Sequence, residues 1–315
     1  MRLLAVDDDP LILDLLPVVF KQADFPQITV ASSGMDALNI LSDPDAQFDC
    51  LLLDIEMPGM TGVELCSRIR ALPQYRDTPI LMLTSVTDRG IIERAFAAGA
   101  NDYINKPFDV KEITTRVRVA KRMTETVGSA PRLNPVDLPA DGAKGEHPFK
   151  IGDSVRLANI DQLVLPFSLG NYLSQLSRRR LDTCSIFAVR IENMDSLFAE
   201  CNTRELAVAL SEVSEAVTDV VDCPKLLMAY DGDGTFLCIT QQAQSLVWPE
   251  IEDRVHALLG EGAAMFEDGS PMNICVAIGN PIPPNASRNQ RVKKTFDRAI
   301  GRALMREKTK VRQLS

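Results

Sequence analysis

The stretch that decides the fold is LLLD at residues 51–54, a short apolar run that ends on a carboxylate. The same arrangement recurs at 3–8, where LLAV precedes two aspartates, at 79–85, and before Asn105-Lys106-Pro107. In an open parallel α/β sheet the carboxyl ends of the strands lie along one edge, and ligands bind at that edge. The pattern therefore predicts that three carboxylates, a hydroxyl and an ammonium group meet in one site.

Apolar runs and amphipathic segments alternate from Arg2 to about Met123. Strands are predicted at 2–6, 27–31, 50–54, 79–84 and 102–105. Helices are predicted at 10–22, 34–42, 61–71, 88–98 and 109–124. Five βα units in this order predict an α/β fold, a flavodoxin-like doubly wound five-stranded parallel sheet with strand order 2-1-3-4-5.

The polar residues at the strand ends have an ordinary explanation as well as a functional one. An acidic residue after a strand is often a helix N-cap, and Lys-Pro is often a turn. The complete set, in order, favours a site for a hard cation and a phosphoryl group. Carboxylate oxygens suit Mg²⁺, and a carboxylate can itself become an aspartyl-phosphate.

These residues resemble the receiver domain of two-component response regulators over roughly the first 120 positions. The resemblance implies that Asp54 is the phosphoacceptor. It also implies that Mg²⁺ is held by Asp7, Asp8 and Asp54, with Asp8 the more direct ligand of the first pair, and by the backbone carbonyl of Glu56. The phosphoryl donor is expected to be a cognate histidine kinase or a histidine phosphotransfer protein.

Three further residues bind phosphate or act as a switch, by the same resemblance. Lys106 pairs with a phosphate oxygen, and Thr84 turns its hydroxyl inward to the phosphoryl group. Tyr103 then rotates inward, although a half-buried strand aromatic is the ordinary reading of that position. Many receiver domains have a cis bond at the position of Lys106-Pro107, but the sequence leaves cis or trans geometry open here.

Bulk composition narrows the function further. The chain has 315 residues, a net charge of −9 and a pI near 4.9. This acidic balance argues against broad binding to nucleic acid or to anionic membranes, which needs a basic face. No apolar stretch is long enough to span a bilayer, and the seven cysteines form no CxxC pair. We therefore expect a reduced, cytoplasmic protein that binds neither nucleic acid nor membrane.

Composition also predicts the domain organisation. We expect a phosphoacceptor receiver domain at 1–124, a linker at 125–150 that is rich in Pro and Gly, and an output domain at 151–315. In the output domain, helices are predicted at 170–181, 194–221, 247–259 and 291–309. Strands are predicted at 185–191, 225–230, 235–240 and 272–278, with an Asp-Gly hairpin at the centre. This order predicts an α+β, ferredoxin-like core.

The order resembles the GGDEF domain of diguanylate cyclases. Asp161-Gln162-Leu163 is similar to the entry motif of that family, and residues 303–308, ALMREK, are similar to a helix near its end. The segment 230–236 occupies the place of the signature hairpin.

The metal-binding acids of the cyclase family are missing. Arg190 stands where the family has the acid of the first strand, and a cation there repels the metals it should bind. The hairpin 231–235 consists of Asp231, Gly232, Asp233, Gly234 and Thr235, and a Glu falls at the catalytic position in neither of two possible registers. The resemblance therefore implies a degenerate, inactive cyclase site.

Three functions compete at this point. The first is a response regulator whose inactive GGDEF-like module acts through contact with an unknown downstream protein or through phosphorylation-dependent homodimerisation. The second is a phosphorylation-activated diguanylate cyclase that makes cyclic di-GMP from GTP. The third, a DNA-binding transcription factor, needs a recognition helix and a basic face, and we expect residues 151–315 to offer neither.

Overall fold

The computed structural model describes residues 1–85, 89–127, 130–158, 160, 162–176, 178–221, 226–241, 248–262, 264–287 and 290–314. These residues fall into two compact units, Met1–Ser129 and Ala130–Ser315, which we describe one at a time. None of the described helices combines the length and the apolarity that a membrane span requires. Six cysteines carry free thiols, and Cys223 lies outside the described residues.

The first unit is a five-stranded parallel sheet with strand order β2-β1-β3-β4-β5, so the predicted flavodoxin-like order is confirmed. Its strands are β1 (Arg2–Val6), β2 (Gln27–Ala31), β3 (Cys50–Asp54), β4 (Ile80–Thr84) and β5 (Asp102–Asn105). Its helices are α1 (Pro10–Gln22), α2 (Gly34–Leu41), α3 (Gly62–Ala71), α4 (Arg89–Ala97) and α5 (Val110–Val127). Residue 88, the predicted start of α4, lies outside the described residues.

The sequence explains why β3 and β4 lie in the middle of this sheet. Every residue of both strands is buried, as expected for parallel strands that helices cover on both faces. Local caps then set where the helices begin: Asp9 accepts the backbone N–H of Leu11 at the start of α1, and Thr61 accepts that of Glu64 at the start of α3. The carboxyl ends of the strands are thereby held beside the first turns of the helices.

The second unit contains a separate four-stranded antiparallel sheet with strand order β11-β8-β10-β9. Its strands are β8 (Cys184–Ile191), β9 (Leu227–Tyr230), β10 (Thr235–Gln241) and β11 (Val276–Ile278). A short parallel pair, β6 (Arg132–Leu133) and β7 (Arg156–Leu157), precedes it. The helices are α6 (Pro166–Gln175), α7 (Arg178–Leu181), α8 (Met194–Glu200), α9 (Thr203–Val221), α10 (Trp248–Gly262) and α11 (Arg291–Leu314).

Alternate residues of β8 divide the second unit into two layers. Phe187, Val189 and Ile191 belong to a buried apolar cluster that includes residues of α9 and α10. Helix α11 packs on β8 and β11, and α6 packs on α11. Arg190 of β8 is half-buried, and its guanidinium donates a hydrogen bond to Glu307 of α11. Its side chain therefore lies on the α11 side of the sheet.

Several predicted elements of the second unit differ from the structure. The helix predicted at 194–221 is two helices, because Asn202 and Glu205 cap the start of α9 reciprocally. The backbone N–H of Glu205 donates to Asn202 Oδ1 at 2.9 Å, and the backbone N–H of Asn202 donates to Glu205 Oε2 at 2.7 Å. The helix predicted at 170–181 begins at Pro166 and is broken after Gln175.

The last predicted strand, 272–278, is extended in the sheet only at Val276–Ile278. The side chain of Asn193 binds the preceding segment instead: its amide donates to Asn273 O and its oxygen accepts from Cys275 N. Residues 222–225 and 242–247 lie outside the described residues, so β9 is described from Leu227 and α10 from Trp248.

The linker predicted at 125–150 also differs from the observed division. Helix α5 runs to Val127, and residues 130–150 belong to the second unit. Leu133 is buried, and Leu138 and Phe149 pack against the apolar cluster of that unit. These apolar residues are too widely spaced to give a helix or strand period, which is why the segment reads as a linker.

Candidate functional site

Three carboxylates meet at the edge of the parallel sheet, as the sequence predicts. Asp7 follows β1 and is fully buried, Asp54 ends β3 and is 3% exposed, and Asp8 is exposed. One oxygen of each lies within 4.8 Å of the others. Because carboxylates repel one another at this distance, the cluster needs positive charge nearby.

Lys106 supplies one positive charge. Its Nζ lies 2.6 Å from Asp7 Oδ2 and 2.5 Å from Asp54 Oδ1. Its backbone N–H donates to Thr84 O at 2.7 Å, which fixes the loop after β5 against the end of β4. The bond from Lys106 to Pro107 is cis.

The pKa values of the cluster show the balance between burial and pairing. Burial raises the pKa of Asp54, and the negative charges of Asp7 and Asp8 add to this, against the lowering effect of Lys106. Burial alone would lower the pKa of Lys106, but its hydrogen bonds and charge contacts with Asp54 and Asp7 raise it overall. The pocket therefore favours Lys106 as an ammonium ion and disfavours further negative charge at Asp54.

The approach of α3 keeps this pocket compact. A Cβ added at Gly62 would collide with the backbone oxygen of Asp54, and Gly62 N donates to Ile55 O at 2.9 Å. Only a residue without a side chain lets the first turn of α3 lie this close to the end of β3.

The two predicted switch residues are both buried. Thr84, the last residue of β4, is 1% exposed. Tyr103 is 5% exposed, and its ring packs edge-on against Phe96 of α4 with the centroids 6.3 Å apart. The ring thus already lies inside, so the inward rotation expected from the sequence is not needed to bury it.

A cleft of about 600 Å³ lies next to the acidic cluster, and no sequence pattern predicted it. Asp8 and Glu56 line it from one side and Ile91 and Arg94 of α4 from another. The loop after β3 supplies most of the remaining lining. The side chain of Glu56 is exposed, and its role as a carbonyl ligand stays a prediction.

The comparison with protein families decides the identity of this unit. Residues 3–118 match the family described as response regulator receiver domain. The first unit is a response regulator receiver domain.

Individual relatives match the chain over the same fraction of its length. The DNA-binding response regulator MtrA of Mycolicibacterium smegmatis is 37% identical over 124 residues, 39% of this chain and 52% of MtrA. The DNA-binding dual master transcriptional regulator RpaA of Synechocystis is 35% identical over 131 residues, 41% of this chain and 52% of RpaA. The chain thus spans about half the length of these curated relatives. The chemotaxis protein CheY4 of Vibrio cholerae matches with 31% identity and a TM-score of 0.35, over 38% of this chain and 97% of CheY4.

The acidic cluster of the receiver domain fits a divalent cation. Asp7, Asp8 and Asp54 bring three carboxylates together, while the ion pairs found there within the described residues involve a single ammonium group, that of Lys106. Oxygen ligands with uncompensated negative charge are what Mg²⁺ binds.

The edge of the second unit that carries Arg190 is different. The Arg190 guanidinium lies 2.9 Å from Glu307 Oε2 of α11, and it donates to Asp233 O at 3.1 Å and to Thr235 Oγ1 at 3.3 Å. Thr235 is also the residue opposite Arg190 in the β8–β10 register. In the described residues, the grouping of three or more metal-ligating side chains occurs at Asp7, Asp8 and Asp54 alone.

The hairpin between β9 and β10 is a tight, well-anchored turn. Gly232, Asp233 and Gly234 all have positive φ values, of 89°, 48° and 66°. Asp233 N donates to Ile151 O, and a Cβ at Gly232 would collide with the backbone of Gly152. Burial raises the pKa of Asp231.

The sequence did not indicate which residue would pair with Arg190. Its partner, Glu307, lies 117 positions away in the chain, so no local pattern could have identified it. Asp161 of the predicted entry motif lies outside the described residues.

Proposed function

We propose that the chain is a phosphorelay response regulator and that Asp54 accepts the phosphoryl group. The observation that carries this proposal is the burial of Asp54 at a sheet edge beside two further carboxylates and Lys106. The proposed donor is a phosphohistidine on a histidine kinase or a histidine phosphotransfer protein. A carboxylate oxygen of Asp54 forms the new bond to phosphorus as the bond between phosphorus and the donor nitrogen breaks.

Asp7, Asp8, Asp54 and the backbone carbonyl of Glu56 are the proposed Mg²⁺ ligands. When bound, the ion offsets the negative charge that gathers as a phosphoryl group enters the pocket. Lys106 then exchanges its contact with Asp54 Oδ1 for one with a phosphoryl oxygen. Its second ion pair, to Asp7, keeps the ammonium group in place during this exchange.

Thr84 is the proposed switch, because its buried hydroxyl ends the strand next to β3. Donation of this hydroxyl to the phosphoryl group pulls the loop that follows β4 toward the site. Tyr103 and Phe96 transmit the movement to α4, since their rings are already in contact. The proposed readout is a phosphorylation-dependent homodimer or a changed affinity for a downstream protein.

We also propose that the second unit is a degenerate GGDEF-like module without cyclase activity. Its strands follow the βαββαβ order with sheet order 4-1-3-2, which supports a ferredoxin-like core. The contacts of Arg190 support inactivity: a carboxylate, a carbonyl and a hydroxyl bind a guanidinium where the cyclase family holds metal ions. The alternative is a phosphorylation-activated cyclase that makes cyclic di-GMP from GTP.

The phosphoacceptor is tested by incubating the full-length chain with acetyl phosphate and Mg²⁺ and measuring its intact mass. We expect the mass of one phosphoryl group in the wild type and none in Asp54→Asn. Asp14→Asn, which changes an exposed carboxylate of α1, is the matched control and should be labelled normally. Label that persists in Asp54→Asn would refute the assignment.

The output module is tested by incubating the phosphorylated chain with GTP and either Mg²⁺ or Mn²⁺. We expect no cyclic di-GMP above a heat-killed sample. Product that disappears when Asp233 is replaced by Ala would restore the cyclase alternative.

A further inference from the structure

Helix α11 carries an exposed cluster of positive charge that the net charge of the chain conceals. Its sequence contains nine Lys or Arg residues and two acidic residues. Among the cations whose side chains the structure describes, five are exposed, and we call them the basic row: Lys293, Lys294, Arg298, Arg302 and Lys308. The expectation that residues 151–315 offer no basic face therefore does not hold for this helix.

The basic row lies on the half of α11 that faces away from its own domain. Thr295, Ala299 and Ala303 are fully buried on the opposite half, where the helix packs on β8 and β11. Gly301 lies within the row, and a Cβ added there would meet no other atom within 4 Å. The second unit itself leaves this face of the helix open.

The face that carries the row keeps a net positive charge, because its five cations outnumber Asp297, an exposed acid on the same half of the helix. The cations of α11 outside the row include Arg306 and Lys310, which pair with Glu252 and Glu192. No ion pair joins a member of the basic row to an acid among the residues that the structure describes. Arg302 has a weak contact, a 3.4 Å hydrogen bond to Pro281 O.

From these observations we infer that the basic row binds the phosphate backbone of duplex DNA. This function goes beyond the proposed phosphorelay role and does not depend on it. From Lys293 to Lys308 the row is about 22 Å long, at a helical rise of about 1.5 Å per residue. Duplex DNA carries roughly one phosphate per 1.7 Å of its axis, so a duplex of that length offers enough phosphates for every cation of the row. Cations that release condensed counterions need no apolar anchor to bind such a backbone.

The composition of the exposed face argues against other anionic partners. An amphipathic helix that binds a membrane inserts its apolar face, but the apolar face of α11 is packed on the sheet. A stable protein interface has aromatic or aliphatic side chains at its centre, and between Arg291 and Lys310, where the side chains are described, Met305 is the large apolar residue exposed on this helix. Single strands are bound by stacking on aromatic rings, which the exposed positions of α11 lack.

Contacts to phosphates carry little sequence information, so binding should be unspecific and strongly salt-dependent. The test is fluorescence anisotropy of a labelled, mixed-sequence duplex with the full-length chain, from about 50 to 200 mM salt. Five phosphate contacts predict a slope of log K against log salt of about −4.5. The triple variant Lys294→Gln, Arg298→Gln, Arg302→Gln should reduce the slope to about −2, and Arg298→Gln alone should reduce its magnitude by about 1.

A control variant, Lys21→Gln, Lys150→Gln, Arg254→Gln, removes as many exposed cations elsewhere and should bind like the wild type. Circular dichroism of each variant establishes that it is folded. No binding at about 50 mM salt, or equal binding by the triple variant, would overturn the inference. Binding to phosphatidylserine vesicles but not to the duplex, if lost in the triple variant, would overturn it in favour of a membrane surface.

Discussion

The acidic edge of the receiver domain and the Arg190 edge of the second unit differ in their charge balance. In the receiver domain, three clustered carboxylates share the ammonium group of Lys106, and negative charge remains in excess. In the second unit, Arg190 pairs with Glu307 and also satisfies a carbonyl and a hydroxyl. Excess charge leaves a place for a cation and a substrate, whereas a neutral pair is already complete. Burial and a carboxylate are therefore not enough to make a metal site.

Removal of Mg²⁺ should have the largest effect, and it acts on the receiver domain alone. We expect EDTA to slow acetyl phosphate labelling of Asp54 by roughly a hundredfold or more, because the single ammonium group of Lys106 does not offset the charge of three carboxylates and a phosphoryl group. Intact mass spectrometry over time measures this rate. Labelling at the same rate with and without EDTA would show that the acidic edge does not use a metal ion, and the two edges would then not differ in this respect.

The second largest effect should come from an ion pair in the second unit whose acidic partner is buried. Glu252 is 3% exposed, accepts the backbone N–H of Ile278 and pairs with Arg306. Since Glu252→Ala leaves the buried N–H without an acceptor and removes the partner of the part-exposed Arg306, we expect a loss of about 2 kcal/mol in the free energy of unfolding. Chemical denaturation measures it, with the exposed Asp253→Ala as a control that should change stability by less than about 0.5 kcal/mol.

The same pair predicts a pH dependence. Burial would raise the pKa of Glu252, but Arg306, the Ile278 N–H and Lys310 lower it overall. A carboxylate whose pKa is lower in the folded state stabilises the fold above its unfolded pKa, and this stability is lost as the pH falls through the folded value. Acid should therefore lower the free energy of unfolding of the wild type by more than it lowers that of Glu252→Gln. Equal acid sensitivity of the two proteins would contradict this role.

Matched substitutions of the two cations sharpen the comparison directly. Lys106→Met removes the ammonium group that competes with Mg²⁺, so Mg²⁺ should bind about tenfold more tightly or better. Arg190→Met leaves Glu307 without its cation but creates no cluster of acids, so no new Mg²⁺ site should appear. Calorimetric titration of both variants with Mg²⁺ tests this. Tighter binding in Arg190→Met would mean that a latent metal site lies beneath the ion pair.

The smallest effect on chemistry should come from Thr84→Ala. The hydroxyl is proposed to respond to the phosphoryl group and not to hold the metal, so labelling of Asp54 should change by less than about tenfold. Sedimentation of the phosphorylated variant should show a weaker change in oligomeric state than that of the wild type. A wild-type response would show that Thr84 is not the switch.

The sequence predicted the receiver domain well because its signals are local. A short apolar run such as 51–53, followed at once by polar residues, is typical of a central parallel strand, and Asp9 and Thr61 mark helix starts within a few residues. The second unit was harder, since the amphipathic period continues across Cys201 and Asn202 while a side-chain cap breaks the helix there. The partner of Arg190 lies 117 positions away, and the inward position of Tyr103 depends on packing between a strand and a helix; periodicity shows neither.

Calorimetric titration of the unphosphorylated wild type with Mg²⁺ tests the contrast between the two edges most directly. We predict a single site, abolished by Asp7→Asn together with Asp54→Asn and unchanged by Glu307→Gln. A second Mg²⁺ site that survives the loss of Asp7 and Asp54, and that Glu307→Gln removes, would contradict the account.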